Sequence, residues 1–127
     1  MTTVLLLEDD ETLSLMYRRL FEVYFDCDVT EATDGERGLE LVNEQRPDLV
    51  VLDVHLPKKS GLEVLQAMRD DPSTACTPCI AITAENHREV IERLVAGRVM
   101  DILLKPVVPA RDVERIRKVI AKIHAVR

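Results

Sequence analysis

The chain has 127 residues, 46% of them apolar and 3% aromatic, with 17 Lys and Arg against 23 Asp and Glu for a net charge of −6. This is the size of one globular domain, and so ordinary an apolar fraction with so modest a charge excludes a disordered chain. No uninterrupted apolar run approaches the roughly 18 residues of a membrane-spanning helix, and Met1-Thr2-Thr3 lacks the basic and apolar stretches of a secretory signal, so a cytoplasmic protein is expected.

Residues 4–7 form an apolar run of strand length, followed by Glu8-Asp9-Asp10 and a helix with Leu13, Met16, Leu20 and Val23 on one face. This spacing predicts a helix over 12–25 with Asp10 as its N-cap. Val29 lies in a weaker strand reaching residue 33, and Leu39, Leu41 and Val42 mark a second helix that stops near Arg46-Pro47. Residues 49–52 are a second clear buried strand. After the loop Leu56-Pro57-Lys58-Lys59, the run Ser60-Gly61-Leu62-Glu63 fits a capping box, and Leu62, Leu65 and Met68 continue that helix. A loop with Pro72 and Pro78 leads to a strand at 80–82. Asn86 is placed to cap a helix carrying Val90, Ile91, Leu94 and Val95 and closed by Gly97. Residues 100–104 read as the fifth strand, and beyond Pro109 the last helix repeats Val113, Ile116, Val119, Ile120 and Ile123.

Five strands, each followed by a helix, predict an α/β fold: a doubly wound parallel sheet with helices on both faces. Continuous rather than alternating apolar strands fit burial on both sides. Ligands of such sheets bind beyond the carboxyl ends of the strands, where the strand order reverses. Strand one is followed by Glu8-Asp9-Asp10, strand three by Asp53, strand four by Thr83-Ala84 and strand five by Lys105-Pro106. In the order 2-1-3-4-5, Asp9, Asp10 and Asp53 converge. Neighbouring carboxylates repel, so they bind a cation or hold a proton, and an oxygen-only set suits Mg²⁺ or Mn²⁺. A carboxylate beside such a metal, faced by a hydroxyl and a lysine, has the parts to accept a phosphoryl group.

Leu7-Glu8-Asp9-Asp10, Asp34-Gly35, residues 47–53 ending in Asp53, Leu56-Pro57 with Gly61, Thr83-Ala84 and Leu104-Lys105-Pro106 occur in an order and spacing that resembles the receiver domain of two-component response regulators. The resemblance implies one flavodoxin-like (βα)5 domain over residues 1–127, a receiver similar to the single-domain chemotaxis-type regulators. It further implies Mg²⁺-dependent phosphoryl transfer from the histidine of a sensor histidine kinase, or from a phosphotransfer protein, to Asp53, with slow autodephosphorylation. Asp10 is then expected to ligate the metal directly, Asp9 largely through water, and the His55 backbone carbonyl to add a ligand. Lys105 is expected to pair with the phosphoryl oxygens, Thr83 to swing onto one of them, and the Lys105-Pro106 peptide to be cis. A downstream protein would be met by the fourth helix, fifth strand and fifth helix; a homodimer through the last helix stays open, and neither nucleic acid nor membrane is expected as a partner. With this pattern running from Val4 to about Ile123, no output domain is expected within these 127 residues.

Ile102 stands where the family usually places an aromatic residue, so no ring is available to turn inward with the threonine. His55 and Glu85, two positions beyond Asp53 and Thr83, are expected to flank the route of the attacking water. Asp34-Gly35 reads as a turn and helix start rather than as part of the pocket. An aspartyl-phosphate phosphatase of the haloacid dehalogenase type would need a second Asp where this chain has His55 in Asp53-Val54-His55, and a flavin or nucleotide site lacks its Gly-rich loop. A degenerate receiver used only for docking would not need all five pocket residues.

The charge is uneven: residues 1–57 hold 14 acids and 4 bases, net −10, and residues 58–127 hold 9 acids and 13 bases, net +4. The acidic half thus suits a cation, and the basic excess, including Arg111, Arg115, Arg117, Lys118, Lys122 and Arg127, suits a solvated helix face or an acidic partner. Three cysteines without a secretion signal argue against disulfides, and Cys76-Thr77-Pro78-Cys79 reads as ordinary loop and core thiols.

Overall fold

The structure, a computed structural model, describes residues 1–84 and 86–126; the expectation for Glu85 lies outside the described residues. Five strands and five helices alternate: β1 (Thr3–Leu7), α1 (Glu11–Phe25), β2 (Asp28–Ala32), α2 (Gly35–Gln45), β3 (Leu49–Asp53), α3 (Gly61–Asp70), β4 (Cys79–Thr83), α4 (Arg88–Ala96), β5 (Asp101–Leu104) and α5 (Pro109–Ala125). All pairings are parallel and the order is β2-β1-β3-β4-β5, as the alternation of runs predicts.

The sheet carries two cores because successive side chains of a strand point to opposite faces. Val4, Leu6, Leu49 and Val51 pack with Tyr17, Leu20 and Phe21 of α1 and with Ile116, Val119 and Ile123 of α5. Leu5, Leu7, Val50 and Leu52 pack with Leu41 and Val42 of α2, Val64, Leu65 and Met68 of α3, and Leu94 of α4. Every residue of β3 is buried. At about 1.5–3 kcal/mol for each large apolar side chain removed from water, β1 and β3 anchor the fold.

The helix starts follow local chemistry. Asp10 accepts from the Leu13 amide, Asp34 from Arg37 and Ser60 from Glu63, each satisfying an orphan donor of the first turn. For α4 the expectation is corrected: the N-cap is His87, not Asn86, and its side chain makes no capping bond. The other end of α4 is tied down. The Arg69 guanidinium, at the end of α3, donates to Gly97 O at 2.7 Å, Ala75 O at 3.0 Å and Thr77 O at 2.9 Å, and Arg98 reaches Ala75 O at 3.2 Å. All three cysteines are free thiols; Cys27 and Cys79 are buried and Cys76 is exposed. No helix among the described residues is long and apolar enough to cross a membrane.

Candidate functional site

Asp53 is the last residue of β3, paired in register with Ile82 of β4, and is 1% exposed. Its Oδ1 accepts from the His55 amide at 2.9 Å and its Oδ2 from the Lys105 ammonium at 2.5 Å. Glu8 follows β1, whose Leu7 pairs with Leu52, so Glu8 emerges beside Asp53 and is equally buried. Glu8 Oε2 accepts from the Asp10 amide at 3.1 Å and from Lys105 Nζ at 3.2 Å. The ammonium is also 3.2 Å from Oε1, but at an orientation that makes no hydrogen bond, so Oε1 is left as a buried acceptor without a donor.

Among the described residues, the group that can hold a cation is Glu8, Asp9 and Asp53, one carboxylate oxygen of each lying within 4.8 Å of the others. Burial raises the Glu8 pKa, with the Asp53 charge adding to it, while the Asp10 amide and Lys105 pull the other way. A buried acceptor without a donor, beside two more carboxylates, fits a hard divalent cation such as Mg²⁺ or Mn²⁺.

Asp10, expected as a direct ligand, lies outside this group. Its side chain is exposed and caps α1 through the bond to Leu13 N at 3.0 Å. Glu8, not singled out as a ligand from the sequence, is grouped with Asp9 and Asp53. The signal was present in the sequence: the strand run ends at Leu7, which makes Glu8 the first residue on the rim, and a helix starting at residue 11 claims Asp10 as its cap.

Thr83 ends β4 one residue beyond the partner of Asp53 and is buried, and its carbonyl accepts from the Lys105 amide at 2.9 Å. Lys105 thus hangs from β4 by its backbone and reaches Asp53 and Glu8 with its side chain. Burial works against its charge, but the hydrogen bonds to Asp53 and Glu8 outweigh it and raise its pKa. The peptide between Lys105 and Pro106 is cis, as the resemblance implies. His55 is exposed, Asp34 caps α2 outside the pocket, and Ile102 is half-buried against the core formed with α2, α3 and α4.

The profile of the response regulator receiver domain matches residues 4–117. The chain belongs to the response regulator receiver domain family. This receiver is 33% identical over 115 residues to the polar-differentiation response regulator DivK of Brucella anthropi, a match that covers 91% of this chain and 93% of that one. It is 32% identical over 120 residues to the Bacillus subtilis protein named "Probable C4-dicarboxylate response regulator DctR", covering 94% of this chain and half the length of that relative. Among solved structures, the chemotaxis response regulator CheY4 of Vibrio cholerae superposes with a TM-score of 0.84 at 25% identity, over 94% of this chain and 98% of the other. The receiver domain of Francisella response regulator 1452 gives 0.83 at 28%, over 96% and 98%. Receiver domains of two-component systems are phosphoacceptors that bind Mg²⁺ and interact with histidine kinases or phosphotransfer proteins and with downstream targets.

Proposed function

We propose that this receiver takes a phosphoryl group from the phosphohistidine of a sensor histidine kinase or phosphotransfer protein onto Asp53, in a Mg²⁺-dependent step in the cytoplasm. The observation that carries the reading is the Asp53 carboxylate itself: buried, fixed by the His55 amide and the Lys105 ammonium, and grouped with Glu8 and Asp9. An Asp53 oxygen attacks phosphorus, the bond from phosphorus to the donor imidazole nitrogen breaks, and the imidazole keeps the electron pair. Glu8, Asp9, Asp53 and the His55 carbonyl are the groups that would hold Mg²⁺, which supplies charge neutralisation at the phosphoryl oxygens. Lys105 transfers its hydrogen bond from Asp53 Oδ2 to a phosphoryl oxygen, and the Thr83 hydroxyl donates to another. Slow attack by water on phosphorus returns the free carboxylate.

The output face assigned here is built from α4, β5 and α5. Val95 and Leu104 are exposed on it, and Arg115 is engaged within the chain by Asp101 and by Ile102 O. An exposed apolar pair of this kind suits a downstream protein or a second copy of the chain. With Ile102 at the half-buried position of β5, transmission from Thr83 proceeds by a shift of an aliphatic side chain rather than by rotation of a ring.

Incubation with acetyl phosphate and Mg²⁺, followed by intact mass, tests this reading. The parent chain is expected to gain one phosphoryl group and Asp53→Asn none; a parent chain without mass gain overturns it.

A further inference from the structure

The segment from the end of β5 to the first turn of α5 carries Lys105, and each residue from 104 to 108 has a backbone group held by a partner. The Lys105 amide donates to Thr83 O, the Val107 amide to the buried Tyr17 hydroxyl at 3.3 Å, and the Val108 amide to Asp112 Oδ2 at 3.0 Å. The carbonyls on either side of Lys105 are held by one nitrogen: Arg111 Nη2 donates to Leu104 O at 2.7 Å and to Pro106 O at 2.8 Å. The same guanidinium grips the fully buried Asp112 carboxylate, with Nε at 3.1 Å and Nη2 at 2.9 Å.

We propose that Arg111 is a positioning residue for phosphoryl transfer: by bridging the carbonyls before and after Lys105 it aims the ammonium at Asp53. This rests on the phosphoacceptor reading given above. The physical reason lies in the length of the lysine stem, four methylenes whose direction is set by the backbone they leave. A guanidinium pairs with several acceptors in one plane, so it fixes both ends of the short segment together, and Asp112 fixes the guanidinium in turn. A side chain that touches no reacting atom then governs where the charge clamp sits.

Two readouts on the full chain test the proposal. The first is acetylation of amines by an N-hydroxysuccinimide ester at pH 8, mapped by peptide mass, with Lys118 and Lys122 as internal references. In the parent chain the Lys105 nitrogen is held by hydrogen bonds to Asp53 and Glu8 and is expected to label slowly. In Arg111→Met it is expected to label several-fold faster while Lys118 and Lys122 are unchanged. The second is the rate of phosphorylation by acetyl phosphate and Mg²⁺, expected to fall about tenfold in Arg111→Met. Because that change strands a buried carboxylate, Arg111→Met/Asp112→Asn is measured alongside; the Asn oxygen keeps the Val108 amide satisfied without a buried charge, and both effects are expected to persist. Lys105 labelling at the parent rate, or phosphorylation at the parent rate, in this double variant overturns the proposal. Failure of the parent chain to phosphorylate overturns the phosphoacceptor reading instead, and the labelling arm still decides whether Arg111 holds Lys105.

Discussion

Gly61 lies directly against Asp53: a Cβ built on the glycine would stand 2.1 Å from the Asp53 carbonyl oxygen, and the Gly61 amide donates to Val54 O at 2.9 Å. The first residue of α3 is thereby pressed onto the end of the strand that supplies the acceptor. Gly61→Ala must push α3 away from β3, and a loss of about 1–3 kcal/mol is expected from overpacking against backbone that cannot yield. Urea unfolding measures it; an unchanged midpoint would mean that α3 shifts freely.

The separation of Asp9 from Asp10 gives opposite outcomes for two adjacent substitutions. Asp10→Ala removes the cap of α1 and is expected to cost about 1 kcal/mol, yet to keep the thermal stabilisation by Mg²⁺. Asp9→Ala is expected to leave basal stability near that of the parent and to lose most of the Mg²⁺ effect. Thermal unfolding with and without Mg²⁺ decides, and an Asp10→Ala variant blind to Mg²⁺ would restore Asp10 as a ligand.

Glu8 ties stability to pH. Its pKa in the fold is raised above the ordinary value of 4.5, chiefly by burial. Between 4.5 and the raised value the folded chain holds a proton that the unfolded chain has released, so stability is greatest below 4.5 and declines as pH rises through the folded pKa. Above that folded pKa, without divalent cations, the ionised carboxylate therefore works against folding. Glu8→Gln is expected to raise Tm above that folded pKa, with the gain fading as pH is lowered toward 4.5 and absent below it. A gain that grows on acidification would contradict the assignment.

The thiols are expected to differ sharply in reactivity. Burial pushes Cys27 and Cys79 up to about 11, whereas Cys76 is exposed in the loop before β4. Since the thiolate is the reactive form, a disulfide reagent at pH 8 is expected to modify Cys76 quickly in the native chain and the other two only after denaturation. Rapid loss of Cys79 would show that β4 opens to solvent.

The run of strand-length and helix-period segments made the fold readable, because burial on both faces of β1 and β3 leaves an unbroken apolar signature. Asp53, Thr83 and Lys105 were legible for the same reason, as the residues at which those signatures stop. The placing of Glu8 beside Asp53 was harder to read: three acids in a row are equivalent in composition, and only the direction of each side chain at the end of β1 tells which of them faces Asp53. His87 displaced Asn86 at a helix start where no side-chain capping bond marks the position. The hold of Arg111 on the Lys105 segment carried no sequence signal, since there its partners are backbone carbonyls, and carbonyls have no letter in a sequence.

The strand order also divides the pocket into parts of unequal freedom. Glu8 and Asp53 stand at the ends of β1 and β3, interior strands whose every residue from Val4 to Leu7 and from Leu49 to Asp53 is buried. Lys105 follows β5, an edge strand with Leu104 half exposed, and Thr83 on β4 lies between. Local opening is cheapest where buried contacts are fewest. Asp53 is therefore set in the interior of the sheet, whereas the ammonium that pairs with it is delivered from beside the sheet's edge.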